Sequence, residues 1–211
     1  MDAIEQSRGA VRQLMRSIAR AVNGVSGGRI TPNQVTLFSL VAHFGVGWAI
    51  IEQQLLLAGG LLVVFGLMDT LDGELARLQG RDSAAGVVLD ASADRYKEGI
   101  VFSALAVYFA QAGDVWLVGA SAMALAASFL ISFVKTKGEA VLAAGSGSKS
   151  AASLNRELGN DTFFRFEIRV TLVVIGLLSG WLAPVLYLLA TAGLVAAWLR
   201  YLEIERRLKH L

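Results

Sequence analysis

The chain is 211 residues long, 55% hydrophobic and 17% charged, with a mean hydropathy of +0.58. Soluble domains are less apolar and more charged than this, so composition excludes a soluble globular protein and points to one integral membrane domain over residues 1–211. There is no Cys, which excludes disulfides and thiolate metal sites.

Residues 1–30 read as an amphipathic juxtamembrane helix. Arg8, Arg12, Arg16 and Arg20 form one stripe of residues 2–22, and Ile4, Val11, Met15, Ile18 and Val22 form another. That pattern suits a helix lying on the membrane surface with its arginines near anionic headgroups. With four Arg in its first twenty residues and no long apolar core, it does not read as a signal peptide. Gly24 to Gly28 are expected to break the helix, and Thr31 and Pro32 to start the next as N-cap and first-turn residue.

Residues 31–205 hold six apolar stretches: Val35–Ile51, Leu55–Met68, Ile100–Ala110, Val115–Val134, Val170–Leu178 and Trp181–Leu199. A span needs about 17–25 residues. The second, third and fifth stretches fall short, and each is completed by a polar half: Asp69–Arg77, Asp90–Glu98 and Arg165–Arg169. The fold expected is therefore all-α, a six-transmembrane-helix bundle with an interfacial N-terminal helix. Polar groups at membrane depth are tolerated where they face a bundle interior or wet cavity, so the three half-polar helices should line one.

The connections Glu52–Gln54, Gln111–Asp114 and Ser179–Gly180 contain no Lys or Arg; all 19 basic residues fall in the other polar segments. The positive-inside rule then places both termini and the cavity in the cytoplasm of a multi-pass protein of the cell (inner) membrane. Residues Ala140–Asp161, rich in Gly, Ser and Ala, read as a flexible lid or as a linker without a role.

Within the polar halves, Asp69 and Asp72 stand at i, i+3 and Asp90 and Asp94 at i, i+4, so each pair shares a helix face. Four converging carboxylates repel unless protonated or bridged by cations. Oxygen-only ligands suit a hard ion such as Mg2+ or Mn2+, which can hold phosphate groups in turn. The bland alternative is a set of ion pairs with Arg77, Arg81, Arg95 and Lys97. Each charged group near the bilayer costs about 2.5–3.5 kcal/mol, a large cost for structure alone.

The run Asp69-x2-Asp72-Gly73-x2-Ala76-Arg77-x8-Gly86-x3-Asp90-x3-Asp94 resembles the CDP-alcohol phosphotransferase signature without departure. The resemblance implies two divalent ions held by Asp69, Asp72, Asp90 and Asp94, with Asp94 also catalytic, taking the acceptor's proton. It implies that Gly73 faces the cytidine and that Arg77 reaches the pyrophosphate. It also sets Asn33 and Thr36, in Pro32-Asn-Gln-Val-Thr36, beside the nucleotide. Ser83 either touches a phosphate or caps the next helix. Gly86 permits either a close ligand approach or tight helix packing.

For the acceptor, Ser132-Phe-Val-Lys135-Thr-Lys137-Gly-Glu139 resembles the S-Y-x-K-A-R-A-E segment of the inositol-phosphate-using branch, departing from it at Phe133, Thr136, Lys137 and Gly138. Ser132, Lys135, Arg165 and Arg169 are the expected acceptor-binding residues, gripping a phosphate by charge-assisted contacts; ordinary positive-inside residues are the alternative. The implied reaction moves a substituted phosphate from a CDP-alcohol, CDP-diacylglycerol above all, to a small polar alcohol. Inositol phosphate stands ahead of glycerol phosphate, serine or an amino alcohol, and CMP is released in phospholipid biosynthesis. A homodimer in the bilayer and no nucleic-acid partner are expected. A cation transporter is the alternative of another class; it would want polar segments reaching both faces, and here they lie on one. His43 and His210 are isolated and carry no assigned role.

Overall fold

The computed structural model describes residues 3–145 and 164–209. These form helices and no strand: α1 (Ala3–Ser26), α2 (Pro32–Ile51), α3 (Leu55–Gln79), α4 (Ala84–Gln111), α5 (Val115–Gly145), α6 (Phe166–Ser179) and α7 (Leu182–Leu208). The rest of the expected lid, residues 146–161, lies outside the described residues.

Among the described residues, four helices are long and apolar enough to cross a membrane: α2, α3, α7 and, within α5, Val115–Leu142. The chain is a multi-pass membrane protein. α4 carries Asp90, Asp94, Arg95, Lys97 and Glu98 along its middle, and α6 has only 14 residues. Each short apolar stretch is nonetheless continuous with its polar half, in α3, α4 and α6. The outward surface fits a lipid surrounding, with Phe44, Trp48, Leu56, Val64 and Val195 exposed. Trp116 and Trp181 stand exposed beside the charge-poor turns, where indole rings favour the membrane–water boundary.

The chain divides into two compact units, Met1–Ala104 and Leu105–Leu211. In the first, Thr31 starts α2 with a reciprocal cap: its hydroxyl accepts from Gln34 N at 3.3 Å while Gln34 Oε1 accepts from Thr31 N at 2.9 Å. α2 turns into α3 through Glu52–Gln54, where Gln53 takes a left-handed φ of 60°. The two helices pair antiparallel, with Thr36 against Asp72 and Ser39 against Asp69. α1 packs on α3 through buried Met15 and Ala19. Within the expected break at Gly24–Gly28 the helix continues past Gly24 to Ser26, since one Gly costs only about 1 kcal/mol in a helix. It stops at Gly27 and Gly28, both at positive φ, with Gly28 N donating to Asn23 O.

In the second unit α5 and α7 run parallel, Ala127 facing Gly193 and Gly138 facing Ile204. A Cβ on Gly138 would overlap Ile204, so a departure from the family segment has a packing cause. α6 and α7 form a tight hairpin, with Leu182 and Val185 against Gly176.

Candidate active site

The carboxylates of α3 are held by α2. Thr36, buried on α2, donates its hydroxyl to Asp72 Oδ2 at 2.5 Å, and Ser39 donates to Asp69 Oδ1 at 3.3 Å. Ser39 is steadied in turn by its 3.1 Å contact with Phe65 O, and His43 Nδ1 lies 2.7 Å from Ser39 O. Thr36 is thus found as a partner of an aspartate. Its hydroxyl also reaches Pro32 O, at 3.2 Å.

α3 and α4 are joined by Lys97. Its ammonium, 3% exposed, donates to Asp69 Oδ1 and lies 3.8 Å from Asp94 Oδ1. Asp72 feels the charges of Asp69 and Asp90, and Asp94 feels the same two. Lys97 and Arg95 both act on Asp94 against the repulsion of Asp69 and Asp90, and among the described residues Asp94 Oδ1 is buried without a hydrogen bond. The donor set is all carboxylate oxygen, which fits a hard divalent ion. Among the described residues, no three such groups stand close enough to share one ion. Of the ion pairs named as the bland alternative, those of Lys97 with Asp69 and Asp94 are present, while Arg95 pairs with Glu98 at 2.5 Å.

Of the expected nucleotide residues, Asn33, Ser83 and Gly86 are brought together: a Cβ on Gly86 would lie 3.1 Å from Ser83 Oγ and 3.5 Å from Asn33 Oδ1. Ser83 caps α4, its hydroxyl accepting from Gly86 N at 3.0 Å. Among the described residues only Arg77 Nη2 approaches Gly73, at 3.6 Å from where a Cβ would stand, so their packing does not demand glycine there. Arg77 is half exposed and donates to Glu74 Oε1 at 2.8 Å. Glu74 was not singled out in the sequence. It is buried and also meets Arg16 and Arg12 of α1, at 3.1 and 3.5 Å. The available signal was an acidic residue three before Arg77, with a stripe of arginines on the N-terminal helix.

The expected acceptor residues lie in the second unit. Ser132 and Lys135 are on α5, Lys135 half-buried with its ammonium 3.8 Å from Glu139. Arg165 caps α6 in an extended conformation, and buried Arg169 donates to Phe164 O at 3.0 Å with its guanidinium over the Phe166 ring. Arg200 of α7, unremarked in the sequence, is half-buried and feels the charges of Glu139 and Arg169.

Such a chain is a helical membrane protein with an acidic site set in its helices. The sequence profile of the CDP-alcohol phosphatidyltransferase family matches residues 29–200. The chain belongs to that family of transferases. It is 39% identical over 115 residues to a phosphatidylinositol phosphate synthase of Corynebacterium glutamicum, covering 53% of this chain and 52% of that one. The match thus spans about half the length of that relative, and of the synthase of Mycobacteroides abscessus, at 37% identity. The crystal structure of Mycobacterium tuberculosis phosphatidylinositol phosphate synthase with CDP-DAG bound has a TM-score of 0.76 and 27% identity, covering 91% of this chain and 94% of that one. The same synthase was also solved in complex with manganese and citrate, where the TM-score is 0.72.

Proposed function

We propose that this protein transfers the phosphatidyl group of CDP-diacylglycerol to a hydroxyl of inositol phosphate and releases CMP. The observation that carries the reading is the Lys97 bridge between Asp69 of α3 and Asp94 of α4, with Asp69 and Asp72 held by hydroxyls of α2. The neighbouring structures with CDP-DAG and with manganese support both the donor and the metal. The names of the synthases supply the acceptor.

Asp69, Asp72, Asp90 and Asp94 would hold two divalent ions, Mg2+ or Mn2+, which when bound neutralise phosphate charge and favour departure of CMP. Thr36 and Ser39 orient two of these carboxylates. Gly73 and Gly86 leave room for the nucleotide, with Asn33 and Ser83 at its edge, and Arg77 receives the diphosphate. Asp94 accepts the proton of the acceptor hydroxyl. That oxygen forms a bond to the phosphorus bearing the diacylglycerol, and the bond from this phosphorus to CMP breaks. Ser132, Lys135, Arg165 and Arg169 grip the acceptor's phosphate.

The whole chain acts as one six-span membrane domain, with α4 and α6 crossing beside the four long apolar helices. It is a homodimer of the inner membrane, with α1 on the cytoplasmic surface and the active site facing the cytoplasm. Turns without Lys or Arg at Gln53, Gly113 and Gly180 support that orientation. Incubating purified protein with labelled CDP-diacylglycerol and single acceptors tests the substrate. Labelled lipid should form with inositol phosphate before glycerol phosphate, serine or an amino alcohol. Preference for an unphosphorylated alcohol would end this assignment.

A further inference from the structure

Glu74 occupies one of the variable positions between Gly73 and Arg77, yet its surroundings are the most heavily charged of α3. Its side chain is 4% exposed. A buried carboxylate is costly without partners, and three guanidinium groups supply them. Arg77 Nη2 meets Oε1 at 2.8 Å, Arg16 Nε meets Oε2 at 3.1 Å and Arg12 Nε lies 3.5 Å from Oε1. The guanidinium-bearing side chains are more than half exposed, at 62% for Arg12, 57% for Arg16 and 52% for Arg77. One carboxylate therefore faces three cations, and positive charge is left over on their outer sides. A second fastening lies further along, where Gln79 Nε2 donates to Asn23 Oδ1 and to Ile30 O, both at 2.9 Å.

Two arginines expected to meet headgroups are thus turned toward the site helix, and the arginine expected to meet the diphosphate shares their anchor. We propose that Glu74 is a positioning residue for donor binding: it latches the N-terminal helix to α3 and holds the Arg77 guanidinium beside Gly73. This rests on the CDP-diacylglycerol reading above. Bidentate phosphate contacts depend on the planar guanidinium being preset. Without the carboxylate, Arg77 loses its fixed partner and repels Arg16 and Arg12 instead.

The test uses Glu74→Gln in the full-length protein, with kinetics in detergent–lipid micelles. The donor KM should rise roughly tenfold, as for loss of one charge-assisted contact. kcat and the acceptor KM should stay within about twofold, since no reacting atom is touched. The chain has no native Cys, so spin labels on Leu14→Cys and Leu78→Cys report the α1–α3 distance without any turnover. That distance distribution should broaden in Glu74→Gln. A folded Glu74→Gln with the wild-type donor KM overturns the proposal, as does an equal loss in kcat and acceptor binding. If Glu74→Gln does not fold, Arg12→Gln with Arg16→Gln removes only α1's half of the latch. Broadened distances with a raised donor KM then support the proposal, and unchanged distances refute it. Wild-type protein that releases no CMP would instead sink the CDP-diacylglycerol reading, while the distance measurement would still decide the latch.

Discussion

Thr36→Val offers a sharp perturbation, because the Thr36 hydroxyl donates to one of the four aspartates. Valine keeps the volume and removes the hydroxyl that donates to Asp72 Oδ2 at 2.5 Å, in a pair where Thr36 is 4% and Asp72 5% exposed. A hydrogen bond to a charged group is worth about 1.5–3 kcal/mol, and burial leaves little water to replace it. Loss of a group that orients a metal-holding carboxylate typically weakens metal binding roughly 10–100-fold. The assay is the electron paramagnetic resonance signal of free Mn2+ titrated against purified protein, read without substrates. Thr36→Val should bind Mn2+ roughly 10–100-fold more weakly, and Thr36→Ser should bind it nearly as wild type. Raising Mg2+ should restore much of the turnover of Thr36→Val. Wild-type Mn2+ affinity together with a raised donor KM would refute the reasoning and return Thr36 to the nucleotide.

Asp94→Asn should fold and still bind CDP-diacylglycerol, yet lose nearly all transfer, because an amide does not accept the acceptor's proton; near-normal turnover at saturating Mg2+ would exclude Asp94 as the base. Lys135→Gln, half-buried with only a long contact to Glu139, should raise the acceptor KM roughly tenfold while the donor KM holds; equal effects on both would make the cluster merely topological. Gly138→Val should destabilise the second unit by about 1–3 kcal/mol, seen as a lower Tm, and Ile204→Ala in the same chain should recover part of it. In intact cells, an impermeant thiol reagent should label single cysteines at Gln53, Gly113 or Gly180 but not at Arg206; outside labelling of Arg206→Cys would invert the topology.

Much of this architecture was legible because it is written locally. Thr31, Pro32 and Gln34 announce the start of α2, and the charge-poor turns fall where the apolar stretches end. The spacing of Asp69, Asp72, Asp90 and Asp94 is a pattern that survives without coordinates. What escaped depends on which helix faces which. Thr36 and Ser39 repeat on α2 the three-residue step of Asp72 and Asp69 on α3, a match that has meaning only once the helices pair antiparallel. Glu74 is one acidic residue among many until α1 lies against α3. Lys97 was weighed as an ion-pair partner, and its burial between two aspartates shows why an isolated carboxylate does not stand there alone. His43 had no assigned role because its contact with Ser39 O links two residues of one helix whose importance comes from Asp69 on another. α4 shows the limit of hydropathy: its charged residues lower the very average by which a span is recognised.

The most direct measurement is CMP release by purified protein given CDP-diacylglycerol, inositol phosphate and Mg2+. The account requires CMP to appear in step with a new phospholipid, to need both the acceptor and the divalent ion, to stop with a chelator, and to be absent in Asp94→Asn. CMP release that ignores the acceptor, or no CMP from well-folded protein at saturating Mg2+, would contradict it.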